Sequence, residues 1–157
     1  MKIAVAAELS SFRLMKMIED YLVEAGHNVV NLGMQNEDQP LKFYETAPRV
    51  ARAIQDGTVE RGILTCGTGT GVCICANKFK GVYASAVESA TVAELNYVIN
   101  RSNVLCMGAW IVGEKVALDI VKRWLSAEIG AGFSEERRQM QAVGFAKIQE
   151  IENENFK

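Results

Sequence analysis

Five short apolar runs punctuate this chain: "KIAVAA" (2–7), "HNVVNLG" (27–33), "RGILTC" (61–66), "GVYASAV" (81–87) and "NVLCMG" (103–108). Stretches with helical spacing separate them. Residues 10–25 place Leu14, Ile18, Leu22 and Ala25 on one face, with Arg13, Lys16, Glu19 and Glu24 turned away, and Gly26 stops the helix. Residues 46–55 carry Ala47, Val50, Ala51 and Ile54 inward, with Pro48 acceptable in a first turn. Further helices are expected near 71–78, 89–100, 112–126 (Val116, Ile120 and Trp124 inward) and 135–152, the last opening at Ser134 with Glu135 and Glu136 in its first turn. Strands alternating with helices in this way predict a parallel sheet covered on both faces, a three-layer α/β/α sandwich. Polar residues 34–42 read as a loop and "ENENFK" as a frayed tail, with no linker or repeat.

At 157 residues the chain suits a single domain, residues 1–157. With 49% hydrophobic residues and a net charge of -2, it has material for a core and no signature for nucleic acid or membrane. The start, "MKIAVAAELSSF", reads as a first strand and not a leader, and no apolar run approaches the roughly 20 residues of a membrane span. Cys66, Cys73, Cys75 and Cys106 lie in apolar surroundings, which suits reduced thiols in a cytoplasmic protein.

In open parallel sheets ligands sit at the carboxyl ends of the strands, which directs attention to 7–12, 33–42, 66–72, 87–89 and 107–111. There the third run ends at Cys66 and "GTGTG" (67–71) leads into a helix. Glycines at alternate positions permit positive φ and let successive N–H groups converge on one concavity, an oxyanion nest. Such a field favours a thiolate placed beside it, so Cys66 is a candidate general base next to an oxyanion hole. A strand-to-helix turn of this composition also serves plain packing, and a strand-end cysteine also serves as a small hydrophobe. The spacing is neither the dinucleotide fingerprint nor a P-loop.

"GILTCGTGTGVCICANKFKGVYA" resembles the signature of the type B ribose-5-phosphate isomerases and the galactose-6-phosphate isomerase subunits, and "NRSNVLCMGAWIVG" (100–113) resembles their second conserved segment. The resemblance spans nearly the whole chain. It implies a flavodoxin/Rossmann-like fold, and a homodimer or dimer of dimers with active sites between subunits. It also implies metal-free and cofactor-free aldose–ketose isomerisation of a sugar phosphate through a cis-enediolate. Cys66 matches the family's base, Thr68 a hydroxyl partner, and the amides of Gly67, Gly69, Thr70 and Gly71 its anion hole.

The departures from that pattern point to the substrate. Glu8-Leu9 replaces the usual Asp-His, Ile99 stands at the ring-opening histidine, Trp110 at a phosphate-reaching arginine and Gln141 at a C-terminal arginine, while Arg137 is kept. Without a ring-opening group, a substrate that cannot close a ring is expected: a tetrose 4-phosphate such as the erythrulose/erythrose pair. Arg101, Arg137, Arg138 and Arg13 are the candidate phosphate ligands. Glu8 is a candidate to bond a sugar hydroxyl or shuttle a proton, or else a solvated loop carboxylate, and Asn100 a candidate enediolate contact. Asn103 reads as a cap to the fifth strand, and Trp110 as a ligand stack or an interface residue. His27, the only histidine, falls at the amino end of the second strand, away from the site. Cys73 and Cys75 lack a second ligand pair and read as packing rather than metal binding. Two rival readings are a non-catalytic sugar-phosphate-binding regulator and one subunit of a hetero-oligomeric isomerase.

Overall fold

The structure is a computed structural model that describes residues 1–156. Five parallel strands, β1 (Lys2–Ala7), β2 (Asn28–Asn31), β3 (Arg61–Cys66), β4 (Ala84–Ala86) and β5 (Val104–Gly108), form one sheet in the order β2-β1-β3-β5-β4. Six helices follow the strands: α1 (Phe12–Glu24), α2 (Phe43–Gln55), α3 (Thr70–Ala76), α4 (Ala90–Asn100), α5 (Glu114–Ser126) and α6 (Glu135–Asn155). Residues alternate between the two faces as the pleat requires. Ile3, Val5, Ile63, Leu105 and Met107 pack with α1, α4 and α5; Ala4, Ala6, Leu64, Cys66 and Cys106 pack with α2 and α3. The α/β/α sandwich expected from the strand–helix alternation is the fold observed. No helix of the described residues is long and apolar enough to cross a membrane.

Register places Ala7 beside Thr65 and Cys66 beside Gly108, so three strand ends meet at one edge. From β1 the chain leaves through α1 on one face, and from β3 through α3 on the other. The connections diverge there, which opens a crevice between the ends of β1 and β3, the place where such sheets hold ligands.

Several boundaries differ from expectation. α2 begins at Phe43 rather than 46, with Glu45 Oε2 accepting from the Lys42 amide at 2.7 Å, so Pro48 falls in the second turn and not the first. β4 covers only Ala84–Ala86 because side chains take the backbone groups before it: Tyr83 N–H donates to Asn103 Oδ1 at 2.8 Å and Gly81 N–H to Glu152 Oε1 at 2.6 Å. The tail is helical to Asn155 and anchored, since Tyr83 O–H also donates to Glu152 Oε2 at 2.9 Å; its final residue, Lys157, lies outside the described residues.

The amino edge of the sheet is fastened by an unanticipated group. Arg61 is 7% exposed, donates to Trp124 O at 2.7 Å and stacks 3.6 Å above the Tyr97 ring centroid. The fully buried Trp124 ties its indole N–H to Ser102 O at 3.2 Å, satisfying its polar end inside the apolar layer.

Candidate active site

Cys66 is the last residue of β3 and lies on the face covered by α2 and α3, nearly buried. The chain then turns through residues 67–69 into α3. Gly69 supplies the turn with φ +78°, and a Cβ there would also fall 2.8 Å from the Met107 carbonyl carbon. The turn points the Gly69 amide back at Cys66 Sγ, 3.1 Å away, within hydrogen-bond reach of sulfur. The Thr70 amide lies 3.4 Å from Thr68 Oγ1, a long contact that leans the hydroxyl toward the loop. Among the described residues the amides of Gly67, Thr68 and Gly71 donate to no protein atom. Gly69 and Thr70, expected in the same anion hole, make the contacts just given.

The alternating glycines do not all serve one purpose. Only Gly69 has positive φ; Gly67 and Gly71 do not. Gly67 is required by a close approach: a Cβ would lie 2.7–2.8 Å from three carbons of the Trp110 ring. Gly71 has more room, its nearest neighbour being the Phe43 ring at 3.3 Å.

Around this loop lies a cavity of about 340 Å³ lined by Glu8, Ser10, Phe43, Cys66, Gly67, Thr68, Gly71 and Trp110. The end of β1 brings in Glu8, whose carboxylate accepts from the amide and hydroxyl of Ser10 and so caps the 3-10 turn Leu9–Ser11. Trp110 arrives from the loop after β5, which is fastened to the site by Ala109 N–H to Cys66 O and Trp110 N–H to Gly67 O, both 2.9 Å. Phe43 and Ser10 were missed in the sequence. Phe43 opens α2 just past the polar loop, and with that helix read from 46 it had no assigned direction.

Two thiols sit below the loop. Cys73, half-buried on α3, is lowered from the usual thiol range to about 7 by hydrogen bonding with Cys106 and from the Ala86 backbone and Asn77, against the opposing effect of its burial. Cys106, fully buried in β5, is pushed well above that range by desolvation and by its neighbour Cys73.

The other expected site residues are elsewhere. Asn100 ends α4 and Arg101 follows it at φ +56°, just before β5, so both lie at the amino edge of the sheet, opposite Cys66. The length of β3 separates the edges, roughly 16 Å at ~3.3 Å per residue. A second cavity there, of about 270 Å³, is lined by Ile99, Arg101, Ile129, Gly130, Glu135, Arg138, Gln139, Gln141 and Ala142. Arg138 rather than Arg137 faces it: Arg138 Nε donates to Phe133 O at 3.0 Å and its stem packs on Gly130, while Arg137 lies 6.0 Å from the Phe133 ring centroid. Among the described residues Gln141 Nε2 is buried without a partner. Arg13 is a surface group paired with Glu37 at 3.5 Å. The chain therefore carries a thiol with amides at one edge of the sheet and guanidinium groups at the other.

Similarity to known proteins extends over nearly the whole chain. A 4-deoxy-4-sulfo-D-erythrose isomerase of a Clostridium species is 35% identical over 100% of this chain and 99% of its own. A D-erythrulose-4-phosphate isomerase of Pectobacterium atrosepticum is 33% identical over 96% of this chain and 97% of its own. The structure of ribose-5-phosphate isomerase B from Clostridium thermocellum superposes with a TM-score of 0.89 at 33% identity, covering 98% of this chain and 99% of that one. Residues 3–142 match the family described as ribose/galactose isomerase, and with that span, the glycine loop after β3 and the shared fold, the chain belongs to the ribose/galactose isomerase family.

Proposed function

We propose that this protein interconverts the aldose and ketose forms of a four-carbon sugar carrying an anion, phosphate or sulfonate, on C4. The reading is carried by one observation: Cys66 Sγ sits within 3.1 Å of the Gly69 amide, beside free amides of Gly67, Thr68 and Gly71, in a chain with isoleucine at position 99. The Cys66 thiolate removes the proton from C2 of the open-chain aldose. Negative charge moves onto the carbonyl oxygen and is held by the amides. The same thiol returns the proton to C1, and a hydroxyl proton passes between O2 and O1 to give the ketose; Thr68 and Glu8 are placed to carry it. With O4 esterified or replaced, a four-carbon chain cannot close to a furanose, so no ring-opening group is needed. Two similar proteins are named for four-carbon substrates of this kind.

The working unit in this reading is a homodimer or dimer of dimers, in which the Arg101, Arg138 and Asn100 edge of one copy completes the Cys66 cavity of another. Supporting it, the two half-sites lie at opposite ends of the strands, and α6 leaves Met140, Val143, Ile148 and Ile151 exposed. The test is kcat/KM for erythrulose 4-phosphate, 4-deoxy-4-sulfo-erythrose and ribose 5-phosphate, with sedimentation of the same sample. Preference for a four-carbon substrate in an oligomer is expected. Preference for ribose 5-phosphate, or full turnover by a monomer, overturns the reading.

A further inference from the structure

We infer that Trp110 is a specificity-determining residue of the Cys66 site, an apolar wall that limits the substrate to a short, open carbon chain. The inference rests on the isomerase reading and assigns a role within it. At 72% exposure Trp110 is the most exposed large hydrophobic side chain of the described residues, yet it is not loosely placed. Its amide donates to Gly67 O at 2.9 Å, and carbons Cζ3, Cε3 and Cη2 lie 2.7–2.8 Å from where a Cβ on Gly67 would stand. Only glycine at 67 lets the indole lie flat against the backbone next to the base. Phe43 forms another wall, its ring 3.3 Å from the corresponding point on Gly71 and in a T-shaped contact with Tyr44 at 5.3 Å between centroids.

These two aromatics and the glycine backbone bound the cavity, and among the described residues the only charged side chain lining it is Glu8. An indole face offers contact to C–H groups and nothing to an oxyanion. The reacting carbons therefore lie between the aromatics while the anion projects out of the mouth, and the distance from Cys66 to the mouth sets the chain length. An extra carbon, or a closed sugar ring with hydroxyls on both faces, has to press polar groups onto apolar walls. One carbon more or less in such a pocket typically changes kcat/KM by about 10–200-fold.

The experiment compares wild type, Trp110→Ala and Trp110→Phe. It reads kcat/KM for erythrulose 4-phosphate, Ki for ribose 5-phosphate as inhibitor of that reaction, and sedimentation. Trp110→Ala is expected to weaken erythrulose 4-phosphate turnover while tightening ribose 5-phosphate binding, shifting their ratio by about tenfold or more, and Trp110→Phe is expected to restore most of the preference. A ratio that does not move in Trp110→Ala overturns the role of Trp110 while leaving the isomerase reading intact. Equal losses on both sugars with a shift in sedimentation mark an interface residue and also overturn it. A wild-type protein inactive on every four-carbon substrate overturns both.

Discussion

Gly69 turns its amide hydrogen back onto Cys66, with the nitrogen 3.1 Å from Sγ. The contact joins the turn to the thiol, and a separate substitution at each residue distinguishes what the two contribute.

Cys66→Ala removes the thiol from a site whose amides remain in place. Turnover is expected to fall about 10²–10⁴-fold, while circular dichroism and substrate binding stay near wild type. Proton exchange from deuterated water into erythrulose 4-phosphate is the direct measurement, and near-normal exchange would contradict the assignment.

The loop glycines should not behave alike. Gly69→Ala forces a left-handed residue, about 1–2 kcal/mol by itself, and drives its Cβ into the backbone of Met107 and Gly108. Gly71→Ala meets only the movable ring of Phe43 and should change stability by no more than about 0.5 kcal/mol. Urea midpoints of the two variants decide the matter; similar losses in both would show that φ is not the distinguishing factor.

Arg61 is predicted to hold the amino edge of the sheet. Arg61→Ala loses the bond to the Trp124 carbonyl and the stack on Tyr97, roughly 3 kcal/mol together. Arg61→Lys should recover only part of that, because an ammonium lacks the planar face. Full recovery by lysine in chemical denaturation would reduce the group to a simple charge.

The paired thiols give a pH signature. Cys73 has its folded value below its unfolded one, at about 7, so its contribution to stability is complete above the ordinary thiol range near 9 and fades as pH falls through about 7. Cys106, pushed up by burial, contributes in the opposite sense, its share present below that range and lost at higher pH. In a Cys66→Ala background, iodoacetamide at pH 7.5 should label Cys73 ahead of Cys75, whose thiol is raised by burial, with a rate that titrates near 7. Peptide mapping that finds Cys75 modified first would contradict this.

What the sequence disclosed was local. β1 and β3 are apolar runs ending at the ligand edge, and the glycine loop continues from β3 without a gap, so Cys66, Gly67 and Thr68 were readable along with the sheet. Phe43 and Ser10 reach the same cavity only through the divergence of connections after β1 and β3, a property of the assembled sheet. β4 is shorter than its apolar run because Asn103 and Glu152, distant in sequence, take the backbone groups of "GVY", which nothing in those three residues shows. The choice between Arg137 and Arg138 was also hidden. α6 buries only Phe145, so it carries no apolar stripe to say which side faces the protein.

The placement of thiol and guanidinium groups at opposite edges of one sheet has a genetic consequence under the two-copy arrangement. A chain lacking Cys66 keeps an intact arginine edge, and a chain lacking Arg101 and Arg138 keeps an intact thiol edge. Neither makes a working centre with itself. Mixed in one dimer, the two defects segregate: one centre collects both and the other collects none. Two inactive alleles expressed together should therefore complement each other, with up to half the activity of a wild-type dimer returning in the mixed species.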